Sequence, residues 1–224
     1  MNAKSVESYN ASRNADFPHL LISNLPVPDL INNKDAEAKT IAMVQSEARR
    51  LNDAGVTDLF MACNTMHLYS DEMFQGLDVS FHSLIELVAK KLKTLNTANV
   101  LLLGTKTTIS TNLYQNAMEK NGIKYSKPSD ELLLQTVSMI LDAISGEVNP
   151  EKQKYFYHAI SEEAKLKNAD LVMLACTELP LLIKGTINGL PSLSSLDVLA
   201  EAICSMHYEN YCHDMPVIKK SALL

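Results

Sequence analysis

The chain has 224 residues, 46% of them hydrophobic and 21% charged, which is typical of a globular protein with one large domain or two smaller lobes. Its formal net charge of −6 and the lack of a clustered basic segment argue against a nucleic-acid partner. No run of about 18 apolar residues predicts a membrane span, and residues 1–17 lack the apolar core of a signal peptide, so we expect a cytoplasmic protein without a membrane partner.

Apolar runs alternate with segments of helical periodicity along the chain, and this alternation predicts an α/β fold with parallel sheet. Strands are predicted at residues 19–25, 58–63, 99–105, near 123–126 and at 169–176. Helices are predicted at residues 35–54 and 82–95, in two segments that end near residues 120 and 145, and at 150–167 and 195–208. Gly55 and Gly122 are predicted to end helices, and Pro150 suits the first turn of one.

Two segments of the chain resemble each other, "RRLNDAGVTDLFMACNT" (49–65) and "EAKLKNADLVMLACTE" (163–178). Each has a basic helix end, an Asn before a turn, then Asp-Leu and a strand that ends in Ala-Cys. The repeat predicts two related α/β lobes. We place them at residues 1–97 and 98–205, followed by a tail at 206–224, of which residues 213–224 are expected to be poorly ordered.

Cys63 and Cys176 lie at the ends of the two matching strands, where ligands bind in doubly wound α/β sheets. A single cysteine in such a place is commonly a buried packing residue, but the repeat favours a functional pair. Asn64, Thr65 and Thr177 follow the cysteines and offer hydroxyl, amide and backbone N–H groups that suit a carboxylate. Without CxxC or HExxH spacing, a disulfide framework, a redox pair and a metal site have little support.

A pair of thiols that faces one carbon from opposite sides suits proton exchange at that carbon. The ordinary pKa of a thiol, near ~8.5, lets it lose or donate a proton close to neutral pH when its surroundings tune it. In a racemisation, one group removes the α-proton as thiolate while the other returns a proton from the opposite face. Polar groups between the thiols would hold the substrate carboxylate and stabilise the developing carbanion.

The motifs "MACNTMH" (61–67) and "ACTELPLL" (175–182), together with "LGTKTT" (103–108), resemble those of the aspartate/glutamate racemase superfamily. The resemblance extends over about residues 17–205. It implies two similar lobes with mainly parallel sheets flanked by helices, and an active site in the cleft between them. It also implies racemisation of an amino acid, with aspartate or glutamate as the expected substrate, without pyridoxal phosphate or a metal. A homodimer is expected on the resemblance alone.

The resemblance also assigns roles to residues. Cys63 and Cys176 would be the acid/base pair, with Cys176 acting on the L-enantiomer and Cys63 on the D-enantiomer. The other implied site residues are the carboxylate ligands Asn64, Thr65 and Thr177, the site-lining Thr108, and Glu178, which would orient Cys176. A carboxylate beside a thiol raises its pKa unless the two share a proton, so Glu178 is expected to take part in proton handling.

The sequence leaves the roles of three further residues open. His67 completes the family's C-N-T-x-H pattern, and it is either a hydrogen-bonded structural histidine or a catalytic one. Cys204 and Cys212 match no motif and are interpreted as packing or surface residues.

The chain departs from the family pattern in three places. Family members usually open with a strand, a glycine-rich "GGM" turn and a helix, whereas this chain begins as though partway along that helix, at "SVESYN" (5–10). We expect either a start upstream of Met1, which we favour, or a first lobe rebuilt without that strand. Leu30 and Ser145 stand where cationic ligands of a substrate side chain are expected. Alternative hypotheses are therefore another reaction of the superfamily (maleate isomerase, hydantoin racemase or decarboxylase) or a truncated, inactive or ligand-binding homologue.

Overall fold

A computed structural model of the chain describes residues 1–28 and 36–211. The chain divides into two compact units, a larger one of residues 21–199 and a smaller one made from residues 1–20 and 200–224. Within the described part of the chain, no helix is both long enough and apolar enough to cross a membrane. The tail that was predicted to be poorly ordered, 213–224, lies outside the described residues.

The smaller unit combines the first helix, α1 (Asn2–Tyr9), with the C-terminal part of the last helix, α10 (Ser195–Tyr211). The rings of Tyr9 and Tyr208 stack there with their centroids 4.2 Å apart. This ring pair joins the two ends of the chain through side-chain packing.

Cys204 is also part of the smaller unit and is fully buried. Its Sγ lies 3.5 Å from the hydroxyl of Ser5. Cys204 is therefore a packing residue, one of the two alternatives that the sequence left open, whereas Cys212 lies outside the described residues.

The larger unit contains two sheets. Their strands are β1 (Asp58–Phe60), β2 (Ser80–His82), β3 (Val100–Gly104), β4 (Tyr125–Ser126), β5 (Leu171–Ala175), β6 (Thr186–Ile187) and β7 (Leu190–Ser194). A five-stranded sheet has the order β4-β3-β5-β7-β6 and is parallel except for β6, while β1 and β2 form a parallel pair. The predicted α/β class with mainly parallel sheets flanked by helices is confirmed.

The predicted helices are also confirmed, with small differences at their ends. Between α1 and α10 the helices are α2 (Glu37–Asp53), α3 (Ser70–Phe74), α4 (Leu84–Thr94), α5 (Lys106–Ser110), α6 (Leu113–Lys120), α7 (Asp130–Ser145), α8 (Pro150–Leu166) and α9 (Leu179–Leu182), of which α3 and α9 were not predicted. The segment that was predicted as one helix up to residue 120 is divided before α6, where Asn112 has a left-handed φ of 57°. The proposed boundary between lobes at residues 97 and 98 falls between α4 and β3 and remains a prediction.

Local signals in the sequence explain several helix ends. Gly55 and Gly122 follow α2 and α6 with φ values of 85° and 71°, a conformation that glycine adopts without strain. Asn149 caps α8 by accepting the backbone N–H groups of the first turn, and Pro150 occupies the position where a missing N–H is harmless.

The core of the larger unit is built on β3 and β5, whose residues are all buried. Burial on both faces explains why these two strands are continuous apolar runs in the sequence. At their carboxyl ends Gly104 pairs with Ala175. A Cβ atom on Gly104 would lie only 3.0 Å from the carbonyl oxygen of Ala175, so glycine is required for the strands to approach this closely.

One strand prediction is wrong. Residues 19–25 are not part of a sheet, and Ile22 is 87% exposed. Among the described residues the smaller sheet contains only β1 and β2, so residues 19–25 do not pair with either strand. An apolar run forms a strand only where a neighbouring strand satisfies its backbone hydrogen bonds.

Other strand predictions differ in detail. The strand predicted at 58–63 ends at Phe60, so Cys63 lies in the loop after β1. The short strands β2, β6 and β7 were not predicted. The sequence of β7, "LPSLS", contains a proline and two serines and gives no apolar run.

Candidate active site

The polar residues singled out in the sequence follow the carboxyl ends of three parallel strands. Cys63 lies after β1 and just before a 3₁₀ turn, Thr65–Tyr69. Cys176 follows β5 directly. Thr108 lies in α5, the short helix that follows β3. The pairing of Gly104 with Ala175 holds the ends of β3 and β5 side by side, so the loops after these strands start together.

Three threonine hydroxyls form a closed cluster at this edge. The Oγ1 atom of Thr65 lies 3.1 Å from that of Thr105 and 3.0 Å from that of Thr108. The Oγ1 atoms of Thr105 and Thr108 are 3.0 Å apart. Thr65 and Thr108 were predicted as site residues, whereas Thr105 was missed, although it is the first threonine of the "LGTKTT" motif. We call these three residues the threonine cluster.

Asn64 is buried and held by two residues that the sequence analysis missed. Its Oδ1 accepts a short hydrogen bond from the hydroxyl of Tyr114, on α6. Its Nδ2 donates to the hydroxyl of Ser195, at the start of α10, over 3.1 Å. Both partners are at least 99% buried. No spacing in the sequence pointed to them, because they come from elements 50 and 131 residues away.

Cys176 and Thr177 share one carboxylate. The thiol of Cys176 donates to Oε2 of Glu178 over 2.9 Å, and the hydroxyl of Thr177 donates to the same oxygen over 2.9 Å. Burial raises the pKa of the Cys176 thiol, and the negative charge and hydrogen bond of Glu178 raise it further. Cys176 is therefore held as a neutral thiol beside a carboxylate.

Cys63 has a different environment. Burial raises the pKa of its thiol, and the charge of Glu178 also raises it. The backbone N–H groups of Met66 and Thr65 bond to the sulfur and oppose that rise, since they stabilise the thiolate. Negative charge on Cys63 is also a minor cause of the raised pKa of Cys176, after burial and Glu178.

His67 contacts only backbone atoms through its ring nitrogens. Its Nε2 accepts the N–H of Leu84, the first residue of α4, over 3.0 Å. Its Nδ1 must then carry the hydrogen, and it donates to the carbonyl of Cys63 over 2.7 Å. Burial lowers the pKa of His67, which favours this neutral form. Of the two roles left open by the sequence, the hydrogen bonds support the structural one.

Of the two positions where a cation was expected, Ser145 is the one that the structure describes, and it is not part of this arrangement. Ser145 ends α7, is exposed, and donates its hydroxyl to the carbonyl of Asp142 over 3.1 Å. Leu30 lies outside the described residues. Across residues 1–28 and 36–211, no group of three or more His, Cys, Asp or Glu side chains is arranged to hold a metal ion.

Known proteins share both sequence and fold with this chain. A family model described as "Asp/Glu/Hydantoin racemase" matches residues 2–203. The "Broad specificity amino-acid racemase RacX" of Bacillus subtilis (strain 168) is 25% identical over 89% of this chain and 86% of its own length. A glutamate racemase of Hydrogenobaculum sp. (strain Y04AAS1) is 28% identical over 79% of this chain and 67% of its own length.

Solved structures give the same result for the fold. The crystal structure of an aspartate racemase homologue from Pyrococcus horikoshii OT3 has a TM-score of 0.75 and 25% identity, and the match covers 92% of this chain and 91% of that one. The aspartate racemase of Picrophilus torridus has a TM-score of 0.70 and 23% identity, with 92% and 88% covered. At this identity the second match is a likeness of fold.

Proposed function

Because the chain belongs to the Asp/Glu/hydantoin racemase family and is an isomerase of the racemase type, we propose that it interconverts the enantiomers of an amino acid by proton transfer between Cys63 and Cys176. The observation that carries the proposal is that the threonine cluster joins the loop of Cys63 to the end of β3, which pairs with the end of β5 directly before Cys176. Such a pair can act as acid and base on one carbon.

The two thiols would have unequal roles at rest. Cys63 would be the thiolate, because two backbone N–H groups bond to its sulfur and oppose the rise of its pKa on burial. Cys176 is the better acid, since its thiol hydrogen is already directed at Glu178 and its pKa is raised. In this resting form the protein is ready to act on the D-enantiomer, with Cys63 as the base.

The proton steps balance in both directions. With the D-enantiomer, the Cys63 thiolate removes the α-proton and the Cys176 thiol donates its proton to the opposite face, which leaves a Cys176 thiolate and a Cys63 thiol. The L-enantiomer reacts by the reverse steps from that second form. To pass from the first resting form to the second, Cys176 must lose a proton and Cys63 must gain one. Glu178 would accept the proton of Cys176, because its carboxylate already bonds to that thiol, and would release it to solvent, while Cys63 takes a proton from solvent.

The substrate carboxylate would bind to the polar groups between the thiols. Asn64, Thr65 and Thr108 are the proposed ligands, and Thr105 joins them because its hydroxyl contacts both threonines. The Thr177 hydroxyl donates to Glu178 in the free protein, so it would bind substrate only after that bond exchanges. Bonds from these donors would strengthen as charge develops on the carboxylate in the carbanion.

The substrate itself is proposed at two levels. Aspartate and glutamate are the first amino acids to test, since relatives are named for them. A relative named for broad specificity extends the test to amino acids with uncharged side chains. The proposal requires neither pyridoxal phosphate nor a metal, and a cytoplasmic homodimer remains an expectation from family resemblance.

Solvent deuterium tests the proposal directly. The protein would be incubated in D₂O, without added cofactor, with each enantiomer of aspartate, glutamate and a panel of uncharged amino acids. We expect the α-proton signal of both enantiomers of a substrate to disappear, while chiral chromatography shows the opposite enantiomer. A Cys63→Ser/Cys176→Ser double variant controls for a contaminating racemase. Lack of exchange with every amino acid would contradict the proposal.

A further inference from the structure

We propose that Tyr114 is a positioning residue of this site, which acts through Asn64 on the binding of the substrate carboxylate. The inference rests on the proposed racemase function, in which Asn64 is a carboxylate ligand. Tyr114 belongs to none of the sequence motifs that suggested the site.

The inference starts from the hydrogen bonds of the Asn64 amide. A side-chain amide has one acceptor oxygen and two N–H donors. Tyr114 donates to the oxygen, and Ser195 accepts from one N–H over 3.1 Å. In the described part of the chain, the second N–H of Asn64 has no partner. Tyr114 and Ser195 together therefore fix which way the amide faces and leave a single donor free for a ligand.

Burial makes this arrangement sensitive to the loss of one bond. Asn64 is 3% exposed and Tyr114 is 1% exposed, so water cannot readily replace the phenol hydroxyl. A buried acceptor without a donor is costly, and the amide would lower that cost by turning or by drawing its loop aside. Cys63 and Thr65 flank Asn64 in the same loop, so the donors meant for the substrate would move with it.

Tyr114 is a poor candidate for a direct acid or base. Burial raises its pKa well above the ordinary value, and negative charge on Cys176 or Cys63 raises it further. The phenol therefore stays neutral while the thiols ionise. Its one hydrogen is already donated to Asn64. A neutral phenol whose only hydrogen bonds to Asn64 can orient that amide, but it does not deliver a proton to the substrate.

The test is a double-mutant cycle on the activity of the full chain. Tyr114→Phe removes one oxygen and should raise KM about tenfold, because the Asn64 bond to the substrate carboxylate is weakened already in the ground state. The fall in kcat should be smaller, about threefold, since it reflects only the further strengthening of that bond in the carbanion. Asn64→Ala should raise KM at least as much. In the Asn64→Ala background, Tyr114→Phe should add no more than about twofold, since its effect passes through the amide.

Tyr157→Phe is the matched control. It also deletes a tyrosine hydroxyl that bonds to a single acceptor, the carbonyl of Leu182, and we expect its KM to match the wild type. If Tyr114→Phe is recovered unfolded, Ser195→Ala provides the same test, because it removes the other anchor of Asn64.

The outcomes separate the two proposals. If the wild type exchanges the α-proton but Tyr114→Phe keeps KM within about twofold, the inference about Tyr114 is wrong and the proposed function stands. The same conclusion follows if Tyr114→Phe costs a further tenfold in the Asn64→Ala background. If the wild type exchanges the α-proton of no amino acid, the proposed function fails and the inference fails with it.

Discussion

The sulfur of Cys176 lies 2.9 Å from Oε2 of Glu178, and the thiol donates its hydrogen to that carboxylate. A carboxylate in this place keeps the thiol protonated, yet it can also accept the proton that the thiol must lose. Substitution of Glu178 should therefore change both the pKa of Cys176 and the rate of racemisation.

Glu178→Gln should lower the pKa of Cys176, because the substitution removes a negative charge that raises it. Alkylation of Cys176 by iodoacetamide, followed by mass spectrometry across a pH series, measures the shift. Racemisation should nevertheless fall about 10- to 100-fold, since the proton acceptor is lost. Glu162→Gln, on the exposed face of α8, is the control and should change neither quantity. An unchanged alkylation profile in Glu178→Gln would rule out the proposed influence of the carboxylate.

Single cysteine variants should separate proton exchange from racemisation. Cys176→Ser keeps Cys63 as a base, so it should still exchange the α-proton of the D-enantiomer with solvent deuterium. Cys63→Ser should exchange the L-enantiomer alone. Racemisation should fall about 100- to 10,000-fold in both variants, the usual contribution of a general acid or base. Full racemisation by Cys63→Ser would exclude the two-thiol mechanism, and Cys204→Ser, in the smaller unit, should racemise normally.

The stability of the protein should depend on pH through His67. Because folding lowers the pKa of this residue, the unfolded chain binds the proton more readily. The contribution of His67 to stability is therefore complete above the unfolded pKa, about 6.5, and is lost as the pH falls below it. Urea unfolding at pH 7.5, 6.5 and 5.5 should show this fall. In His67→Gln the fall should be smaller, and an identical pH dependence in the variant would contradict the assignment.

Gly104→Ala should disturb both the fold and the site. The added Cβ would lie 3.0 Å from the Ala175 carbonyl oxygen, so β3 and β5 must separate at the ends that carry Thr105 and Cys176. Overpacking of this kind typically costs about 1–3 kcal/mol, measurable by urea unfolding, and we expect racemisation to fall as well. Gly146→Ala is strained by its φ of 75° but has open space around it, so it should lose stability and keep its activity. Equal activity in the two variants would refute the argument.

The parts of the fold that depend on local sequence were predictable. The apolar runs of β3 and β5, the glycines after α2 and α6 and the first turn of α8 carry their signals within a few residues. Pairing between distant strands carries no such signal. For that reason residues 19–25 were predicted as a strand although they have no partner, and β7, which pairs with β5, was missed.

The candidate site shows the same limit. Asn64 was identified because it follows one of the repeated cysteines, and Glu178 because the motif that contains it resembles the family's. Tyr114 and Ser195 were not, because only tertiary structure brings them to Asn64. Family resemblance assigned the residues that would touch a substrate, whereas the residues that hold those ligands in place became visible in the structure.

The threonine cluster has a consequence for which molecules can enter the site. Its three hydroxyls lie within 3.1 Å of one another, so each can donate a hydrogen bond to the next. A neutral ligand would only replace one hydrogen bond between neutral groups with another. Hydrogen bonds to a charged oxygen are roughly twice as strong, so an anion can displace a bond of the threonine cluster with a net gain in free energy. We therefore expect the threonine cluster to bind anionic ligands more tightly than uncharged ones.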